Sequence, residues 1–209
     1  MPMLEELAKS FEELAHSLQL ESGLKILRLV SACGHITTFI SHFGSNFASV
    51  QREFRKKIGV LKNASEADHT LVFVADLIVQ DRKTRRPPEK WYNSRDLVRV
   101  KRSIAMLRVI FEQILKNNRK DSLTGPVNVA YDNILAPYHS YIANRFVHLF
   151  TMVEDLPTME KLLEQLGETW DSAVDHMDRY VKASKYVTDH IENLFNSYGL
   201  AAVLQFEEC

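Results

Sequence analysis

The chain has 209 residues, 45% hydrophobic and 25% charged, with 26 Lys plus Arg against 27 Asp plus Glu and a formal net charge of −1. That length suits one domain with a sizeable core, or two small ones. The near-neutral balance argues against a general nucleic-acid binder, which is usually clearly basic.

Two cysteines, Cys33 and Cys209, lack the paired spacing of a zinc site or a disulfide framework, so a reduced compartment is the simple reading. The opening stretch, "MPMLEELAKSFEELAHSL", is acidic and amphipathic, with Leu4, Leu7, Phe11 and Leu14 on one helical stripe. It lacks the basic start and apolar block of a secretory signal. No apolar run approaches the about 18 residues of a membrane span. A cytoplasmic protein is expected.

A second stripe runs through Leu27, Val30, Ile36, Phe39 and Phe43, with Phe54, Ile58 and Leu61 as its continuation. "ASEADHTLVFVADLIVQD" begins with a capping pattern, Ser65 then Asp68, and predicts an apolar helix from there. Pro87 and Pro88 in "KTRRPPEKWYN" enforce a break, since proline removes a helix donor and clashes with the preceding turn. A helix over 95–114 follows, then a second break at "KDSLTGP" and a helix from about Val127 to Met152. "EDLPTMEKLLEQLG" supplies a stop and a Pro-Thr start for a short helix. The last helix carries Trp170, Val174, Met177, Val181, Val187, Ile191, Leu194 and Phe195. With no hairpin signal, seven or eight helices in one all-α domain spanning 1–209 are expected.

The helix within "SRDLVRVKRSIAMLRVIFEQIL", residues 94–115, has two distinct faces. Leu97, Val100, Ile104, Leu107, Phe111 and Ile114 recur at alternating spacings of 3 and 4, which is a core seam. Arg95, Arg99, Arg102, Met106 and Ile110 share roughly the opposite side, a face that begins basic and turns apolar. From Arg82 to Arg102, nine Lys or Arg stand against Glu89 and Asp96, a local charge of +7. One reading is a solvated or carboxylate-paired face. The other is a small anionic ligand with an apolar tail, because guanidinium forks match phosphate oxygens. Arg85 and Arg86 suit either an anionic lipid surface or a solvated loop.

A second basic run, "QREFRKKIGVLK", places Glu53 and Lys57 four residues apart, as a surface pair or as an acceptor and a cation for a ligand. In "LAPYHSYIANRFVHLF", His139 lies on the stripe of Ile142, Phe146 and Leu149. It is read either as a core histidine or as a donor to a buried ligand.

"RDLVRVKRSIAMLRVIFEQIL", "LAPYHSYI" and "LPTMEKLL", in that order, resemble the glycolipid transfer protein family, and within it the ceramide-1-phosphate branch. The resemblance runs from about Leu14 to Leu200. It implies a two-layer all-α sandwich with a hydrophobic lipid pocket between the layers, holding one sphingolipid. By that resemblance Lys57, Arg95 and Arg99 bind the phosphate, while Glu53 and His139 bind the ceramide amide. The glycolipid branch has tryptophan at the place of Arg99 and asparagine at that of Lys57; here both are cations. Glu53 stands where the family has aspartate, and Tyr141 where it usually has a tryptophan at the membrane interface. Arg102 is expected to support the site by pairing with a carboxylate.

The leading expectation is non-enzymatic transfer or sensing of a phosphosphingolipid by a monomer that touches membranes transiently, with no cofactor, metal or nucleic acid. A helical interaction module that kept the fold and lost transfer is the alternative, favoured by Glu53 and Tyr141. An enzyme ranks last, because the chain has no HExxH, GxSxG or Gly-rich phosphate loop.

Overall fold

The computed structural model describes residues 2–21, 23–84, 92–117, 122–138 and 156–206. Eight α-helices lie among them: α1 (Met3–Leu20), α2 (Ile26–Ile40), α3 (Ala48–Ala67), α4 (Val74–Lys83), α5 (Tyr92–Asn117), α6 (Thr124–Ile134), α7 (Met159–Leu166) and α8 (Trp170–Ser197). Outside helices, bridged backbone among the described residues is confined to two isolated bridges, Lys25 with Phe73 and Ser122 with Thr158.

The apolar stripes decide which faces meet. Leu4, Leu7, Phe11 and Leu14 are buried as α1 packs on α8 and α2. Helix α8 then lies against α5, which also carries α3, α4 and α6. The circuit closes through α2 on α3. A continuous row of rings crosses this interior: Phe47, Phe43, Phe39, Phe111, Tyr180 and Phe11 meet edge-to-face at 4.8–5.5 Å between neighbouring centroids. Edge-to-face contact sets the positive ring edge against the negative face, which fixes orientation as well as burying area. Burial pushes the Cys33 thiol well up from its ordinary value, so it stays protonated and behaves as a small apolar side chain.

Three sequence expectations need correction. The α2 stripe is offset: Leu27 is 50% exposed, whereas Ile26, Leu29 and Cys33 are buried beside Ile36 and Phe39. Nor does that stripe run on unbroken into Phe54. Gly44, at φ 99°, turns the chain between two short 3-10 turns, and α3 starts afresh at Ala48. The third concerns the helix expected from Ser65. That residue belongs to α3, where its buried hydroxyl donates to the Leu71 carbonyl at 2.7 Å. Helix α4 begins only at Val74, after Asp76 accepts the N–H groups of Val72 and Phe73 at 3.1 and 2.7 Å. The carboxylate at the helix start satisfies orphan donors and suits the positive end of the dipole, which a serine eleven residues earlier cannot do.

Other punctuation is where the sequence puts it. Thr158 caps α7, accepting from the Lys161 N–H at 3.3 Å, and Gly167 ends it in the left-handed conformation at φ 67°. The expected break at Pro87 and Pro88 and the far part of the helix expected to reach Met152 lie outside the described residues. The near part forms α6, which starts at Thr124 and gives way to a 3-10 turn at Ala136–Tyr138. No described helix is long and apolar enough to cross a membrane.

Candidate functional site

Helix α5 is the spine of the site. All six residues of its core seam, Leu97 to Ile114, are buried. Its opposite face is also drawn inward, since Arg102 is 5% exposed and Ile110 4% exposed, while Met106 packs on the core from a half-buried position. The start of α5 is fixed from outside the helix. Asp81, buried on α4, accepts the Ser94 N–H at 2.7 Å. A carboxylate there caps a free donor and complements the helix dipole, one residue before Arg95.

Arg95, Arg99 and Arg102 converge on one side chain that sequence reading missed. The Phe206 ring centroid lies 4.5 Å from Arg95 Cζ, 5.2 Å from Arg99 Cζ and 4.7 Å from Arg102 Cζ. Phe206 follows a short 3-10 turn at Ala201–Gln205 whose Val203 and Leu204 are buried. Arg102 ties that segment down: Nη2 donates to the carbonyl oxygens of Leu204 at 2.9 Å and Phe206 at 3.1 Å. On the other side, Arg102 Cζ sits 3.5 Å over the Tyr138 ring. Arg102 is thus held by two backbone carbonyls and two aromatic faces, which suit a planar, always-charged group withdrawn from water.

The remaining charges divide. Arg99 donates to Asp96 at 2.8 Å, one turn back on the same helix. Lys101 pairs with Glu192 of α8, so for that residue the carboxylate-paired reading is correct. Lys101 and Glu192 also line a cavity of about 190 Å³ with Arg102, Arg108, Ile134 and Tyr138, a lining of mixed charged and apolar side chains. On α3, which packs against α5, Phe54, Ile58 and Leu61 face inward. Lys57 is half-buried; Glu53 is exposed and makes no ion pair with another described residue, so the plain surface pair between them is not formed. His139 and Tyr141 lie outside the described residues. Tyr138, immediately before His139, is held by its contact with Arg102.

The model of the glycolipid transfer protein family matches residues 24–168, well over half of the chain. The chain belongs to the glycolipid transfer protein family. An accelerated-cell-death 11 homologue from Arabidopsis thaliana is 30% identical over 199 residues, covering 92% of this chain and 84% of that one. The solved structure of a point mutant of Arabidopsis accelerated-cell-death 11, complexed with C12 ceramide-1-phosphate, superposes with a TM-score of 0.85. It is 26% identical and the match covers 96% of this chain and 97% of that one. Human ceramide-1-phosphate transfer protein matches at a TM-score of 0.78 with 16% identity over 93% and 96% of the two chains, a likeness of fold. The two-layer all-α sandwich of glycolipid transfer proteins is therefore the fold of this chain, as the sequence implied.

Nothing in the sequence marked Phe206, which lies about a hundred residues from the arginines it touches. Asp81 was equally hidden, because a cap borrowed from another helix leaves no local spacing to read. Asp96 was visible only as a charge opposing the local +7.

Proposed function

We propose that this member of the glycolipid transfer protein family is a non-enzymatic carrier of a phosphosphingolipid, with ceramide-1-phosphate as the lipid. The observation that carries the reading is the convergence of Arg95 and Arg99 beside buried Arg102. The ceramide-1-phosphate held by a relative with a TM-score of 0.85 supports it. In this reading Lys57, Arg95 and Arg99 grip the phosphate. Glu53 and His139 hold the amide, and Arg102 fixes the frame. Tyr141 meets the bilayer interface. Charged hydrogen bonds of that kind each contribute about 1.5–3 kcal/mol. The hydrocarbon chains enter the apolar interior, at about 0.8 kcal/mol per buried methylene. No bond is made or broken, so no nucleophile is required. The whole chain, 1–209, acts as one domain and as a monomer, in the cytoplasm, touching membranes only to load and unload.

The test is vesicle-to-vesicle transfer of labelled ceramide-1-phosphate and labelled galactosylceramide, for wild type, Arg95→Ala/Arg99→Ala and Glu53→Asp. Transfer of the phosphate lipid alone, lost in the double variant, is the expected result. Glu53 favours one second reading, a helical interaction module that no longer transfers lipid efficiently. No transfer by wild type, unrestored by Glu53→Asp, would decide for that module.

A further inference from the structure

Phe206 is the only residue whose ring is shared by three guanidinium groups among the described contacts, with centroid distances of 4.5, 5.2 and 4.7 Å to Arg95, Arg99 and Arg102. The ring is not loosely laid there. Buried Val203 and Leu204 anchor the turn that leads to it, and Arg102 Nη2 holds the carbonyls of Leu204 and Phe206 itself. The fold therefore sets the ring, and the ring in turn bears on two cations proposed to meet phosphate.

Three features follow from that geometry. A phenyl face attracts a guanidinium through its quadrupole yet occupies no hydrogen-bond acceptor, so it leaves N–H donors of the fork to other partners. Asp96 acts oppositely, since its carboxylate takes up an N–H of Arg99 at 2.8 Å. Secondly, arginine has many rotamers, and ordering them on binding weakens affinity; a ring that restricts them beforehand removes part of that loss. Thirdly, an apolar ring displaces water from the cations, and the lower local dielectric strengthens their attraction for an anion.

We propose that Phe206 is a positioning residue of the lipid headgroup site, presetting Arg95 and Arg99 for a phosphate monoester. The inference rests on the phosphosphingolipid reading above and adds to it a residue from the far end of the described chain. It assigns the segment Leu204–Phe206 as a fixed wall of the headgroup site.

The experiment measures binding of short-chain ceramide-1-phosphate and of ceramide with the same acyl chain, which lacks the phosphate. Wild type, Phe206→Leu, Phe206→Tyr, Phe206→Trp and Arg99→Ala are compared, with thermal unfolding of each. Phe206→Leu keeps apolar volume and loses the π face. It is expected to weaken ceramide-1-phosphate binding about fivefold to tenfold, with ceramide binding within about twofold of wild type. Phe206→Tyr and Phe206→Trp keep the face and are expected to bind the phosphate lipid within about twofold of wild type.

Unchanged or tighter phosphate binding in Phe206→Leu would overturn the proposal, the latter because the ring would then be a plug that the ligand displaces. An equal loss for both lipids would also overturn it, by showing a purely structural role. Should Phe206→Leu fail to fold, the Trp and Tyr variants decide: selective loss of phosphate binding with the ring retained overturns the proposal. Failure of the headgroup reading itself looks different. Wild type and Arg99→Ala would then bind both lipids alike, whatever stands at 206.

Discussion

Arg102 Cζ lies 3.5 Å over the ring of Tyr138, and its Nη2 reaches the carbonyls of Leu204 and Phe206 at 2.9 and 3.1 Å. One side chain on α5 thereby joins the turn after α6 to the segment after α8. Replacing it removes charged hydrogen bonds in a buried place and leaves two carbonyls to find other donors. Arg102→Ala is expected to cost about 2–4 kcal/mol and to lower the Tm by on the order of 5–10 °C. Lysine carries the charge without the planar fork, so Arg102→Lys should recover less than half of that loss. Thermal unfolding of the two variants checks both statements.

Arg99 and Asp96 form an ion pair at 2.8 Å beside the proposed phosphate position. The carboxylate competes with an incoming anion for the same guanidinium. Arg99→Ala should reduce ceramide-1-phosphate transfer at least about tenfold, as expected for a charged hydrogen bond. Asp96→Asn should do the reverse, raising the affinity on the order of twofold to fivefold, because repulsion of phosphate is relieved. Both effects should shrink only modestly as salt is raised, since the two side chains are 23% and 14% exposed and partly buried charges are screened less than exposed ones. Binding titrations at two ionic strengths would show it.

Asp81 fastens α4 to the start of α5 through the Ser94 N–H at 2.7 Å, one residue before Arg95. The cap therefore matters to the site as well as to the helix. Asp81→Ala is expected to cost about 1–2 kcal/mol of stability. It should also weaken ceramide-1-phosphate binding while sparing ceramide lacking the phosphate. Hydrogen exchange should report faster opening of the first turn of α5.

Glu12 on α1 accepts two bonds from Arg179 on α8, at 2.9 and 2.7 Å. The hydrogen bond from Arg179 holds the Glu12 carboxyl below the usual carboxylate range, with the nearby positive charge adding to it. A depressed folded-state pKa gives stability that is present above the unfolded value, about 4.3, and lost as pH falls through the folded one. The two side chains are 40% and 32% exposed, so solvent limits the contribution to about 0.2–1 kcal/mol. Glu12→Gln should lower the Tm by about 1–3 °C at neutral pH, and the gap should close as pH falls through the lowered pKa of the folded-state carboxyl. A difference that persisted in acid would deny the pair this role.

Gly167 ends α7 at φ 67° and leads into Thr169, the cap of α8. A Cβ meets no steric obstacle there, so the penalty of substitution is conformational alone. Gly167→Ala should therefore cost about 1–2 kcal/mol, whereas Gly167→Asn should cost less because asparagine visits the left-handed region. Denaturant unfolding of the pair would separate them.

Much of this protein is written in its sequence, for local physical reasons. Leu97 to Ile114 had to be one buried seam, because helical spacing leaves that face no other place. Thr158 and Gly167 punctuate α7 through their own backbone and hydroxyl chemistry. The α5 arginine stretch together with "LAPYHSYI" and "LPTMEKLL" carries the resemblance to the glycolipid transfer protein family. Where local pattern had rivals it misled. The Ser65–Asp68 spacing looked like a cap, yet Ser65 serves α3 and Asp76 starts α4. Leu27 fitted a helical stripe, but the stripe that faces α1 and α3 is the one through Ile26, Leu29 and Cys33. The surroundings of the cations belong to tertiary structure alone. Tyr138 and Phe206 reach the arginine face, and Asp81 the start of α5, from three other segments. Helical periodicity reports which side of a helix is apolar, and only packing decides what is laid against the other side.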